Sequence, residues 1–374
     1  MDDSLDVGHA PLTRLAALAC AALACGGGTV VNSVDISTAV DAISEGDAGA
    51  PDAPLDGALP DESEIPDGIV LAPPCPAGQT LCTAGCCPLV TLASGVQPTK
   101  VLVDAQSVFF LDAALAVRSV PLAPGAVSTI FTITNDACSH IEDFALGPSM
   151  VYLTMRCKLA GTPIPGKVLM VNKSGGGAQT ILSNTVAQPE GIASDGQSIF
   201  WMDTYLVGTL DFAGLDGTGI GQILDFTHYQ HGPITAASTG VYWITFAGDI
   251  HGVKGSGGSL RTVASGDSAT VLASDASFVY WSGSGGAIRR AAPDGTMRST
   301  LTSVGRPSSG IAVDARFVYV SDTAGARVLR VNLDGTGLTV LADGSGVFTA
   351  PTSLAVDDTS VYFCATGTVL RAPK

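Results

Sequence analysis

Seven times along this chain an apolar residue is followed by an aromatic one, at nearly even spacing. The pairs are Val108-Phe109, Val151-Tyr152, Ile199-Phe200, Val241-Tyr242, Val279-Tyr280, Val318-Tyr319 and Val361-Tyr362. Successive aromatics are 43, 48, 42, 38, 39 and 43 residues apart. The clearest copy, Ser309–Ala342, holds four short apolar runs: Ile311–Val313, Phe317–Val320, Val328–Val331 and Leu338–Leu341. Asp314, Ser321-Asp322 and Asp334-Gly335-Thr336 separate them, which is hairpin-turn chemistry. A period of roughly 40–45 residues with four strands per repeat predicts a β-propeller. Helical solenoids share the period, but these runs are β-branched, aromatic and too short for helical spacing.

Upstream of each landmark lies an inner-strand motif: VLVD (101–104), FALG (144–147), IASD (192–195), ITAA (234–237), LASD (272–275), IAVD (311–314) and LAVD (354–357). Inner and second strands are apolar at nearly every position. A strand with one wet face would alternate, so both faces must be dry, as in sheets stacked face to face. The last repeat has three strands before Lys374, and an orphan run, LVTLASG (89–95), precedes the first. The expectation is an all-β, seven-bladed propeller. Leu89–Ala93 supplies the outer strand of the blade containing Leu354–Arg371, which closes the ring and covers its edge.

FWMDT (200–204), VYVSDT (318–323) and AIRRAAPDG (287–295) resemble the YWTD repeats of LDL-receptor class B propellers and their bacterial relatives. The IAVD-x-x-x-VYV cadence is similar to NHL-type repeats. The resemblance covers residues 89–374. It implies the fold and leaves function open, since propellers serve many roles. It also implies structural, hydrogen-bonding roles for Asp112, Asp203 and Asp322. Seven repeats stand here where the YWTD receptors have six.

The remaining quarter is a head. Residues 1–25 include Arg14, an apolar run Leu15–Ala24 and Cys25 before three glycines. The run is too short to span a bilayer and has the shape of a signal peptide. Its end resembles a bacterial lipoprotein processing site, which implies lipid on Cys25 and export to the cell envelope. Residues 26–74 carry ten acids (Asp35, Asp41, Glu45, Asp47, Asp52, Asp56, Asp61, Glu62, Glu64, Asp67) and no base. Such a segment is expected to be a disordered acidic tether. It accounts for much of the net charge of −16; beyond it stand 17 bases against 21 acids. No basic stripe is present, so nucleic acid is excluded as a partner.

Residues 75–88 hold Cys75, Cys82, Cys86 and Cys87 without a CxxC pair or a nearby histidine. In an exported chain this reads as a disulfide-stapled collar, not a metal site. Cys138 and Cys157 flank two strands of the second repeat, on loops at the same end, so they are expected to meet. Cys364 is the odd thiol, a potential partner for the collar.

No Ser-His-Asp order, nucleophile elbow, phosphate loop or HExxH occurs. Asp104, Asp195, Asp275, Asp314 and Asp357 recur at the inner hairpin, where Asx turns are expected. The loops leading into three successive inner strands hold the unusual residues: His140 and Glu142, then Glu190, then His228, Tyr229 and His231. Their position frames the mouth of the channel, making them candidate ligand-binding groups. His140, Glu190 and His231 are candidate metal ligands; no motif names a cofactor. Glu190-Gly191 resembles the Glu-Gly opening of gluconolactonase-like metal propellers. Two classes follow. One is a monomeric, lipid-anchored, non-catalytic binding or scaffold module for protein or glycan. The other is a metal-dependent propeller hydrolase or lyase.

Overall fold

A computed structural model describes residues 75–76, 79–82, 85–123, 125–134, 138–159, 162–182, 188–204, 208–226, 232–255 and 257–374. The signal, lipidation and tether expectations for residues 1–74, and the candidates His228, Tyr229 and His231, lie outside them. Every regular element described is a strand, and the strands form seven antiparallel sheets. Blade 1 runs from the inner strand Pro98–Val103 to the outer strand Ser128–Thr132. Blade 2 spans Cys138–Leu146 to Gln179–Leu182, and blade 3 Pro189–Ser194 to Gly221–Asp225. Blade 4 spans Ile234–Ala237 to Arg261–Ala264, and blade 5 Ala269–Ser274 to Ser299–Ser303. Blade 6 spans Ile311–Val313 to Thr339–Asp343. Blade 7 joins Leu354–Val356, Ser360–Ala365 and Thr368–Pro373 to Val90–Ser94. The ring therefore closes with the orphan strand, Val90 opposite Arg371 and Ser94 opposite Thr368.

The unbroken apolar second strands are explained by what each face meets. The landmark aromatic of one blade packs on the residue after the landmark of the next. Phe109 shares a core with Leu153, Tyr152 with Trp201, Phe200 with Trp243 and Tyr242 with Trp281. Tyr280 then meets Val320, Tyr319 meets Phe363, and Tyr362 meets Phe110 across the closure. Neighbouring residues of one strand point to opposite blades, so both parities must be apolar. Each buried aromatic contributes about 2 kcal/mol through lost water contact.

Every blade also carries a bulge between its third and outer strands, from Val117/Arg118 in blade 1 to Thr91/Ala93 in blade 7. Bulges steepen the local twist that shapes a propeller blade. The Asp-Gly turns joining these strands lean on the preceding blade. At Gly335, φ is +89° and a Cβ would lie 2.6 Å from the carbonyl of Leu301 in blade 5. Only glycine satisfies both conditions.

The inner hairpins hold the expected Asx turns. Oδ1 of Asp104, Asp195, Asp275, Asp314 and Asp357 accepts the backbone N–H groups two and three residues ahead. In blades 5–7 the other oxygen accepts a tyrosine hydroxyl: Tyr280 to Asp275 at 2.9 Å, Tyr319 to Asp314 at 2.9 Å and Tyr362 to Asp357 at 2.6 Å. Burial opposes ionisation of Asp314. The Lys374 ammonium, the turn N–H groups and the Tyr319 hydroxyl outweigh it and hold the carboxyl below its ordinary range. The three tyrosine hydroxyls are pushed up, first by burial and then by their carboxylate partners.

The three motif aspartates at the far ends of second strands are structural. Asp112 accepts the N–H of Gln97 and pairs with Arg118, Asp203 accepts the N–H of Gln188, and Asp322 holds Gly325 N–H and Arg327.

The collar differs from a free-standing staple. Gln79–Cys82 and Gly85–Pro88 form a hairpin that extends blade 6 to six strands, Thr80 lying opposite Ala342. The outer strand of blade 6 had an open edge, and the buried Thr80 hydroxyl caps the carbonyl of Leu341. Cys75 bonds to Cys86, and Cys87 is disulfide-bonded as well. Cys364, considered a partner for this collar, is instead a free thiol buried inside blade 7. Its place on a fully buried second strand separates it from the rim where the hairpin docks.

Candidate functional site: the channel mouth at blades 2 and 3

Blade 2 is the tallest blade. Its inner, second and third strands have 9, 10 and 11 residues, against 3 to 6 in the others. The added length stands at the mouth end, where inner strands begin. A disulfide joins Cys138 and Cys157, directly opposite each other in register, and pins the inner and second strands together at the outer end of the inner strand.

His140 and Glu142 therefore lie within a strand, not in a loop as the sequence reading had them. His140 is exposed, opposite Arg156, with Nδ1 2.8 Å from the hydroxyl of Ser139. Glu142 accepts from Nε of Arg156 at 3.1 Å. The same guanidinium reaches across the blade boundary, donating through Nη2 to Oε1 of Glu190. Glu190 is buried at the start of blade 3, where Thr204 also donates to Oε1 at 3.2 Å. The hydroxyl of Thr154 caps the Glu190 carbonyl. Nearer the axis Asp143 accepts from Lys100 of blade 1 and, at 3.1 Å, from the N–H of Ile192 in blade 3.

These contacts tie three blades together at the mouth. Burying Glu190 is tolerable because a cation and a hydroxyl satisfy it. Gly191 has a packing reason of its own: a Cβ there would lie 2.8 Å from Ile234 of blade 4. Both halves of the Glu-Gly pair thus serve the junctions of blade 3. The structure brings Glu142 and Glu190 onto one arginine and places His140 beside them. Among the described residues no group of three His, Cys, Asp or Glu side chains is arranged to hold a metal.

Sequence reasoning missed Lys100, Asp143, Arg156 and Thr204. For Lys100 and Arg156 the available signal was a charged residue within an otherwise apolar strand, which must find a partner. Arg156 sits beside Cys157 in such a run, and Lys100 directly precedes the inner-strand motif VLVD.

No protein-family model and no curated protein matches the chain. Solved structures do. A streptogramin B lyase aligns at 15% identity and TM-score 0.58, over 76% of this chain and 96% of the other. YCF48 bound to D1 peptide aligns at 12% and 0.58, over 80% and 99%. The computationally designed Ika8 protein aligns at 13% and 0.56, over 79% and 100%. At such identities the likeness is one of fold, and this chain is a seven-bladed β-propeller whose disulfides suit an oxidising, exported environment.

Proposed function

We propose that the protein is a non-catalytic binding or scaffold module for a protein or glycan partner, monomeric, exported and lipid-anchored through Cys25. The observation that carries this reading is the extended, disulfide-pinned blade 2. It raises a polar ridge above the channel mouth, while the acids beneath it are engaged in holding blades together. A rigid ridge loses little conformational entropy on binding, which favours recognition. The peptide-bound neighbour, YCF48, is in keeping with a protein partner. Residues 26–74 would act as the tether between lipid and ring.

A photo-crosslinking residue at His140, compared with one at the exposed Ile220 on the opposite rim, tests the ridge in intact cells. A discrete adduct from position 140 alone is expected. No adduct, or the same adducts from both positions, overturns the reading. Fatty-acid labelling of wild type, Cys25→Ser and Cys20→Ser tests the anchor, with loss expected only in Cys25→Ser. The metal-dependent hydrolase or lyase alternative gains if the purified protein holds a stoichiometric divalent cation that Glu190→Gln releases.

A further inference from the structure

The junction of blades 1 and 2 and that of blades 6 and 7 use the same parts. A lysine just past the third strand of the later blade reaches the turn aspartate of the earlier one. Lys374 pairs with Asp314, and Lys173 with Asp104 at 2.7 Å. Each ammonium lies over the ring five residues after that aspartate, 5.2 Å from Tyr319 and 5.5 Å from Phe109. Two things differ. Tyr319 donates a hydroxyl to Asp314, and Phe109 has none to give. Lys374 also donates to the carbonyl of Asp357, whereas Asp104 is the hydrogen-bond partner of Lys173 among the described residues. Where blade 7 has Asp357, blade 2 has Gly147. Tyr152, whose ring crowds Gly147, sends its hydroxyl to the carbonyl of Leu215 in blade 3.

The Lys173–Asp104 pair thus keeps a spare donor and a spare acceptor side by side. Against it opens a cleft of about 740 Å³, at the end of the ring opposite the channel mouth. Val103, Leu146 and Pro148 give it an apolar wall, and Ser107, Ser149 and Asn172 a polar one.

We propose that this cleft binds a neutral carbohydrate residue, with vicinal hydroxyls bridging Asp104 and Lys173 and the C–H face of the ring against the apolar wall. A matched donor and acceptor with no net charge favours a ligand whose adjacent groups both donate and accept. A simple anion would face Asp104, and a simple cation would face Lys173. The volume lies within the range of small-molecule sites. The proposal rests on the binding-module reading and supplies a ligand class at a second site.

Saturation-transfer NMR on the full chain with D-glucose, D-galactose, D-mannose and L-alanine, each at the same concentration, tests it. At least one hexose is expected to bind. Its dissociation constant should rise about tenfold in Phe109→Tyr, where the new hydroxyl takes the spare acceptor site on Oδ2 of Asp104 beside Lys173, the loss of one charge-assisted hydrogen bond. Phe109→Tyr copies the arrangement of blades 5–7 and should fold; Lys173→Met is the second variant, with weaker binding also expected. No hexose signal, unchanged affinity in both variants, or binding of L-alanine alone overturns the proposal. Hexose failure with the position-140 adduct intact removes only the cleft. Hexose binding without that adduct removes only the mouth.

Discussion

Blades 5, 6 and 7 repeat one device three times, while blades 1, 2 and 3 keep only part of it. In the first group the turn aspartate holds two backbone N–H groups and a tyrosine hydroxyl. In the second, blade 1 has Asp104 with Phe109, blade 2 has Gly147 with Tyr152, and blade 3 has Asp195 with Phe200. Four-stranded antiparallel blades form in both groups, so the Asp–Tyr bond is not what makes a blade. Apolar stacking and the bulge do that. Where blade 2 lacks the aspartate, the tyrosine turns to the neighbouring blade, Tyr152 donating to the carbonyl of Leu215. Charge follows the same division. Residues 269–374 carry nine bases against eight acids, and residues 98–226, which span blades 1–3, six against eleven. The regular group is built for cohesion. The irregular group holds the tall blade, the mouth network and the open cleft.

The largest test removes the regular group's edge cover. Deleting residues 1–95 takes away Val90–Ser94 and exposes the third strand of blade 7. Aggregation, or a fall in Tm of more than about 10 °C, is expected, since the lost strand and its packing are worth several kcal/mol. A truncated chain as stable as the full one would mean that blade 7 holds without its fourth strand.

Next in size is a matched pair of substitutions. Asp314→Ala removes two turn bonds, the Tyr319 bond and the Lys374 pair, and should cost about 3 kcal/mol in urea unfolding at pH 7. Asp195→Ala removes only its two turn bonds and should cost about 1 kcal/mol. Because the folded carboxyl of Asp314 lies below its ordinary value of 3.8, its contribution is complete above that pH. It is lost as pH falls through the folded value, and the cost of Asp314→Ala should shrink in step. Equal costs for the two variants at pH 7 would erase the distinction between the groups.

Blade 3 supplies a carboxyl of opposite sign. Burial raises Asp211 from 3.8 to about 6; the Thr209 hydroxyl counters this, and the charges of Asp203 and Asp225 add to it. A raised folded value favours the protonated form, so stability from this group is present below pH 3.8 and lost as pH rises to about 6. Asp211→Asn should therefore raise Tm at pH 7.5 and leave it nearly unchanged at pH 4. A drop in Tm at pH 7.5 would show that the charged form is needed.

The smallest effect is expected from Phe109→Tyr. Restoring the hydroxyl to Asp104 should stabilise the ligand-free protein by about 0.5–1 kcal/mol in the same urea experiment. Destabilisation would mean that the space beside Phe109 does not match that beside Tyr319.

The ring and its closure were legible because they rest on period and burial. The landmark pairs fix the second strands, and the orphan run at 89–95 fits only where a strand is missing. The Asx turns were legible because they depend on residues two and three positions away. What escaped were contacts between residues far apart in sequence. Glu142 and Glu190 each stand two residues before an inner-strand motif, but the guanidinium that joins them comes from Arg156 on a second strand, and no local pattern encodes that link across the blade boundary. The collar's docking on blade 6 pairs Thr80 with Ala342, residues too far apart in sequence for any local pattern to join. The bulges escaped although the extra residue of each outer strand is aliphatic, from Ile130 in blade 1 to Leu92 in blade 7, because an apolar residue in an apolar strand does not by itself announce a bulge.

The hairpin at the rim of blade 6 also has a mechanical consequence. A pull arriving from the N-terminal side enters the described chain at Cys75 and crosses to Cys86 through a covalent bond. The segment between them, about 3.5 Å of contour per residue when extended, is shielded from the load and cannot be drawn out. Tension passes instead to Val90 and along the closing strand, whose hydrogen bonds to Thr368–Pro373 run across the direction of pull. Under a load directed along the strand those bonds share the force in shear instead of opening one at a time. The hairpin, spared the load, stays in place beside the seam while the seam is stressed.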